Sequence, residues 1–136
     1  MRTQPGQILV RPKLGAPAGF HQGVAISDGV GFHNTVENGA HFATYDSFEA
    51  GQPVWPTSPP ASTTEDYERI VRRAQELAGT PYNALMFNCE DTASEVRFGM
   101  PRSRTREVIV LVVLVTLGIV LVAKVLGRQR FLQMLL

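Results

Sequence analysis

Residues 23–33 read GVAISDGVGFH, two short segments rich in small and apolar residues on either side of Asp28 and Gly29. An Asp-Gly pair between two such segments is a strong signal for a β-hairpin, because both central residues of a type I′ turn need a positive φ angle. We therefore predict two antiparallel strands at residues 23–27 and 30–33. The hairpin pairs neighbouring strands antiparallel, which indicates an antiparallel β region.

The sequence on both sides of this hairpin extends the predicted sheet. Short apolar runs at residues 8–11 and 41–44 are bounded by Gly, Pro, Asn and Asp, which is typical of strands. Residues 51–64 contain four prolines, which exclude a helix there. We predict a surface loop over residues 51–64.

The first predicted helix follows that loop. Thr63 or Thr64 is a suitable N-cap, and apolar residues at helical spacing come after it. The helix is predicted over residues 65–78 and ends at Gly79, a residue that favours helix C-termini.

The second predicted helix begins at Asn88, another good N-cap residue. Glu90 and Asp91 lie in its first turn, where the helix dipole favours carboxylates, and Gly99 ends it. Cys89 thus lies at a helix N-terminus, where backbone amides stabilise a thiolate. Together these elements predict an α+β fold, a small antiparallel β-sheet packed with helices.

A long apolar segment lies near the carboxyl end of the chain. Residues 108–123 form an apolar run in which Thr116 is the one polar residue, and reading on to Leu126 gives 19 residues. An α-helix needs roughly 20 such residues to cross the hydrocarbon core of a bilayer. We predict a single transmembrane helix over residues 107–126, followed by a short tail, 127–136.

The predicted anchor makes the lipid bilayer the first expected partner. Arginines and a lysine lie on both sides of it, so charge bias leaves its orientation open. Residues 1–20 contain no apolar stretch long enough for a signal peptide. We therefore expect a membrane protein with one C-terminal anchor and its domain, residues 1–102, in the cytosol.

Composition limits the remaining possibilities. The chain has 136 residues, which is room for one small domain and the anchor. A net charge of +1 with 18% charged residues does not favour nucleic acid as a partner. The single cysteine excludes an intrachain disulfide, and the scattered histidines lack zinc-site spacing, so we expect no metal and no cofactor. The oligomeric state is left open.

Cys89 is the candidate nucleophile of the chain. Such a thiol needs a lowered pKa, a base within hydrogen-bond reach and a third group that orients the base. His21 and His33 lie on the two strands of the predicted hairpin. Counting outward from a tight turn, they are offset by about three positions, so their contact needs a bulge, a longer loop or neighbouring strands.

These residues belong to a longer pattern that resembles a known family. The chain is similar to the lecithin:retinol acyltransferase family, and most of all to its small H-Ras-like suppressor phospholipase/acyltransferases. The pattern comprises, in order, Pro5-Gly6-Gln7-Ile8-Leu9, His21-Gln22-Gly23-Val24, His33-Asn34-Thr35, Ile70-Val71-Arg72-Arg73-Ala74-Gln75-Glu76-Leu77-Ala78-Gly79, Asn88-Cys89-Glu90 and Glu95-Val96-Arg97-Phe98-Gly99.

The resemblance implies a circularly permuted relative of the papain-like and NlpC-type folds. Carried over by position, Cys89 is the nucleophile, His21 the general base and His33 the residue that orients the base. The implied reaction is acyl transfer from a membrane glycerophospholipid through a cysteinyl thioester. Water resolves the thioester in a phospholipase A1/A2, and an amine or lysolipid resolves it in an acyltransferase.

The chain departs from the family pattern directly after Cys89. Asn-Cys-Glu is usually followed by His-Phe, and Asp91-Thr92 stands here instead. We expect Asp91 to cap its helix, and its charge to raise the thiol pKa of Cys89. No part of the pattern includes His41, to which we assign a structural role.

Two alternatives to the acyltransferase or phospholipase stay open from the sequence. One is a cysteine peptidase or amidase of the NlpC type, which uses the same cysteine and histidine arrangement. The other is a membrane-bound interaction protein without catalysis. Replacement of Cys89 by Ala distinguishes the last from the enzymes.

Overall fold

The computed structural model describes residues 3–15 and 19–133, with side chains up to Val125. It divides into two units, Met1–Ser103 and Arg104–Leu136. The first unit is a mixed α+β structure, as predicted. Its elements are β1 (Ile8–Pro12), β2 (Phe20–Ser27), β3 (Val30–Thr35), β4 (Gly39–Thr44), α1 (Tyr45–Glu49), β5 (Trp55–Pro56), α2 (Thr64–Leu77) and α3 (Cys89–Phe98).

The five strands form one antiparallel sheet in the order β4-β3-β2-β1-β5. The hairpin between β2 and β3 is confirmed, but its predicted turn type is wrong. Among the described residues, the one non-glycine with positive φ is Ala50, so Asp28 does not adopt the type I′ conformation. Gly29, with φ of 73°, is the left-handed residue of the turn, and a bulge between Ala25 and Ser27 accompanies it.

The two faces of the sheet pack against different elements. Alternate strand residues on one face form the larger core with α2 and α3, and Leu9 and Ala25 on the other face pack with Phe48 of α1. The larger core comprises Ile8, Val10, Val24, Ile26, Phe32, Ala40, Ile70, Ala74, Ala93 and Val96.

The predicted boundaries of α2 and α3 are confirmed to within about one residue. The Thr63 side chain accepts a hydrogen bond from the Asp66 N–H and caps α2. Asn88 caps α3, with Asp91 completing a capping box, and Gly99 ends the helix in the left-handed conformation.

The sequence did not predict two short elements. One is α1, whose five residues are too few to show a helical period. The other is β5, two residues inside the segment predicted as a loop, where Trp55 pairs with Val10 at the edge of the sheet. Proline is compatible with an edge strand, because its missing N–H is not needed by a further neighbour.

The second unit is one long helix, α4 (Arg104–Gln133). Its first 22 residues, Arg104–Val125, are long and apolar enough to cross a membrane, and none of that window is buried within the protein. The Thr116 hydroxyl donates to the Val112 carbonyl at 2.8 Å, so its polar group is satisfied inside the helix. The helix continues through residues 127–133 of the predicted tail, and residues 134–136 lie outside the described part.

Candidate active site

His21 and His33 form a direct hydrogen bond across the hairpin. The Nε2 atom of His21 lies 2.8 Å from Nδ1 of His33. The bulge shifts the register by one residue, so that His33 pairs with Gly23 rather than with Val24. The offset between the histidines is then two positions instead of the predicted three, and an even offset puts both side chains on one face of the sheet.

A third histidine extends this pair. His41 of β4 pairs with His33 of β3, and their Nε2 atoms lie 3.1 Å apart. The other ring nitrogen of His41, Nδ1, lies 2.8 Å from the carbonyl oxygen of Gly39. His21, His33 and His41 therefore form a continuous hydrogen-bonded histidine row, in which the sequence had given His41 no functional role.

Phe48 of α1 packs against His21 and His33, the two buried members of the histidine row. Its side chain is buried, and its ring centroid lies 5.6 Å from that of His21 and 5.4 Å from that of His33. The Arg11 guanidinium lies beside the same ring and donates to the Phe48 carbonyl. The unpredicted helix α1 thus holds the two buried imidazoles in place.

Cys89 is the first residue of α3, and its side chain is only 1% exposed. The β2–β3 pairing ends at Gly23 and His33 although both strands continue, and the backbone of Gln22 beyond that point lies near enough to the Cys89 thiol to act on its pKa. Cys89 therefore adjoins the residue that follows His21. In the described part of the chain, no hydrogen bond joins Cys89 directly to His21.

Burial keeps His21 and His33 neutral at physiological pH. Burial first, and then the charges of His33 and Arg11, lower the pKa of His21 to about 3. Burial, followed by the charges of His41 and Arg11, lowers the pKa of His33 to about 4. Neutral imidazoles have a lone pair that can accept a proton, as a general base needs, but pKa values this low make each of these imidazoles a weak base at pH 7.

The expected lowering of the Cys89 pKa is not observed. Burial raises the pKa of the Cys89 thiol, and this outweighs the lowering by the Gln22 backbone and by Lys13. The Glu90 carboxylate adds to the increase. The contribution expected from Asp91 stays a prediction. A helix N-terminus stabilises a thiolate too weakly to offset nearly complete removal from water. The site at rest is thus a neutral thiol beside neutral imidazoles.

Asp91 and Thr92, the second and third residues after Cys89, are both buried and make structural hydrogen bonds. Asp91 accepts from the Asn88 N–H at 3.2 Å in the predicted capping box. The Thr92 hydroxyl lies 3.0 Å from both the Asn88 carbonyl and the Asn34 amide nitrogen. The bond between Thr92 and Asn34 connects α3 to β3 near Cys89.

A cleft of about 320 Å³ opens beside the histidine row. Arg11 and Lys13 supply positive charge, and Leu14 and Val36 are exposed apolar residues on its wall. Asn34 also lines it, with a side-chain oxygen that is buried without a hydrogen-bond partner. The remaining lining residues are His21, Thr35, Glu37 and Tyr82.

Within the residues that the structure describes, no group of three or more His, Cys, Asp or Glu side chains is arranged to hold a metal ion. No family model and no curated protein matches this chain.

Proposed function

We propose that the unit Met1–Ser103 is a thiol acyltransferase or phospholipase A1/A2 of the lecithin:retinol acyltransferase type, with a permuted papain-like fold. Its substrates are glycerophospholipids of the membrane that α4 spans, and the catalytic unit lies in the cytosol. The observation that supports this proposal most directly is the position of Cys89. It lies at the start of a helix and against β2, the strand from which His21 binds His33 at 2.8 Å.

The hydrogen bonding of His21 supports its role as the base. Its Nε2 atom is engaged by His33, which leaves Nδ1 as the nitrogen that receives a proton from Cys89. A hydrogen bond between base and nucleophile is often long or absent before substrate binds, and it tightens in the reacting complex. His33 orients the ring, as the resemblance implies.

The reaction then has two stages. The Cys89 sulfur attacks the ester carbonyl as its proton passes to His21, and the backbone N–H at the start of α3 stabilises the oxyanion. His21 returns the proton to the departing lysolipid oxygen, leaving a cysteinyl thioester. Water or an amine, deprotonated by His21, attacks the thioester and restores the thiol.

The cleft suits a phospholipid. Lys13 and Arg11 provide positive charge for a phosphate group, while exposed Leu14 and Val36 provide apolar contact for an acyl chain. The unpartnered oxygen of Asn34 accepts a hydrogen bond from a donor that enters the cleft, such as the attacking water or amine.

The test uses the full chain in zwitterionic detergent micelles with a short-chain phosphatidylcholine. Intact-protein mass spectrometry compares the wild type with Cys89→Ala and Cys89→Ser, and lysolipid release is followed in parallel. We expect an acyl adduct on the wild type that neutral hydroxylamine removes, and none on Cys89→Ala. An acyl adduct on Cys89→Ser, if formed, resists hydroxylamine because it is an oxygen ester.

Intact phospholipid and no adduct, from a wild-type chain shown to be folded, overturns this proposal. One observation then favours the non-catalytic interaction protein as second candidate: the Cys89 side chain is buried and its pKa is raised. In that case Cys89→Ala keeps the cellular phenotype of the wild type. If the chain is instead a peptidase of the NlpC type, the wild type cleaves amide substrates and Cys89→Ala does not.

A further inference from the structure

His41 takes no part in the reaction as proposed above, yet the structure joins it to the base. It contacts His33 through Nε2 at 3.1 Å and the Gly39 carbonyl through Nδ1 at 2.8 Å. His41 is half-buried, whereas His21 and His33 are buried. The histidine row therefore leads from the cleft to a residue in contact with solvent.

The Gly39 carbonyl determines where each proton of the row lies. A carbonyl oxygen only accepts, so Nδ1 of His41 carries a proton and donates it. Neutral His41 then accepts at Nε2, which requires a proton on Nε2 of His33. His33 in turn accepts at Nδ1 from Nε2–H of His21. The Nδ1 atom of His21 is left with a free lone pair, as a general base needs.

We propose that His41 is a positioning residue that ends a three-histidine proton relay: it sets the tautomers of His33 and His21 and receives the positive charge that deprotonation of Cys89 creates. This inference rests on the proposed function. It gives His41 a role in addition to the roles of the nucleophile, the base and the orienting histidine.

The relay moves one proton at each step and loses none. The Cys89 proton binds Nδ1 of His21, the Nε2 proton of His21 moves to Nδ1 of His33, and the Nε2 proton of His33 moves to Nε2 of His41. The products are a thiolate and an imidazolium at His41. The reverse transfers return the proton to the leaving oxygen.

The surroundings of the row favour this outward movement of charge. Arg11 on β1 and Lys13 after it act on His21 with positive charge, and Phe48 on α1 offers no charge to balance an imidazolium there. The low pKa values of His21 and His33 reflect the same disadvantage. Charge at half-buried His41 is hydrated, and its Nδ1–H stays bonded to Gly39.

Two substitutions of His41 separate its two roles. In His41→Phe, Nε2–H of His33 loses its acceptor, so we expect His33 and His21 to change to their Nδ1–H tautomers and the base to be blocked. In His41→Gln, the amide oxygen still accepts from His33, so the tautomers stay, but the side chain takes no proton.

The experiment uses the full chain in micelles and two readouts that need no phospholipid. Nitrogen NMR of histidine-labelled protein gives the tautomers, which is practicable because the chain has three histidines. Alkylation of Cys89 by iodoacetamide at pH 7 gives the thiolate reactivity. We expect alkylation, and acyl transfer where it is measured, to fall about tenfold or more in both variants, with changed tautomers in His41→Phe alone.

Unchanged tautomers in His41→Phe overturn the tautomer role, and wild-type alkylation in His41→Gln overturns the relay. Asp28→Asn, on the exposed hairpin turn, is the control that keeps wild-type values in both measurements. Absence of acyl transfer in the wild type counts against the proposed function, while the tautomers and the alkylation rates still decide the relay.

Discussion

Gly23 lies directly opposite His33 in the β2–β3 pairing, two residues after His21. A Cβ atom at Gly23 would lie 2.8 Å from Cε2 of Phe48 and 3.2 Å from Cβ of His33. The missing side chain therefore leaves the space in which the rings of His21 and His33 meet over Phe48. The contact between the proposed base and its orienting residue depends on this glycine.

We predict that Gly23→Ala lowers both stability and acyl transfer. The new methyl group also meets the Phe32 carbonyl at 3.0 Å, a backbone atom that cannot turn aside, so we expect a loss of about 1–3 kcal/mol. Chemical denaturation and the acylation assay measure the two effects. Gly31→Ala is the matched control, because its nearest contact is 3.5 Å. Equal stability of both variants contradicts the prediction.

Stability is predicted to fall below about pH 6.5. The pKa values of His21 and His33 are lowered on folding, to about 3 and about 4, so the unfolded chain binds more protons between those values and 6.5. Their contribution is complete above pH 6.5 and decreases as pH falls, by at most about 1.4 kcal/mol per pH unit for each imidazole. Denaturation midpoints at pH 7.5, 6 and 5 measure this. His33→Gln should reduce the change of the denaturation midpoint with pH. A wild-type midpoint that stays constant between pH 7.5 and 5 contradicts the prediction.

Removal of the α3 cap is predicted to affect the thiol as well as the fold. Asn88 accepts from the N–H groups of Glu90 and Asp91 and donates to Ser103, so Asn88→Ala should cost about 1–2 kcal/mol. It should also slow acylation of Cys89, whose position depends on that helix start. Thr63→Ala removes the cap of α2 and is the control: it should lower stability and leave the acylation rate unchanged. If Thr63→Ala loses a similar amount of activity, the slower acylation in Asn88→Ala is due to lost stability alone.

Membrane attachment is predicted to depend on the middle of α4. Leu114→Arg combined with Leu117→Arg places two charges near the centre of Arg104–Val125, each costing about 2.5–3.5 kcal/mol on insertion. We expect the expressed variant to leave the membrane pellet on carbonate extraction. Leu114→Ile with Leu117→Val keeps the apolar surface and should stay in the pellet. Retention of the arginine variant contradicts a transmembrane anchor.

Local signals in the sequence were sufficient for the individual elements. The Asp28-Gly29 hairpin, the Thr63 and Asn88 caps, the Gly99 stop and the apolar run of α4 are determined by neighbouring residues. Each depends on conformational preferences or hydrophobicity within a few positions, and these are present in the sequence itself. The α+β class followed from these elements.

The arrangement of the candidate site was decided by tertiary structure. The bulge between Ala25 and Ser27 converts an odd offset between His21 and His33 into an even one, and so turns both side chains to the same face. His41 joins the row because β4 pairs with β3, and Cys89 has a raised pKa because packing removes it from water. Register and burial arise from contacts between distant segments, so neither a motif nor residue spacing in the sequence contains them.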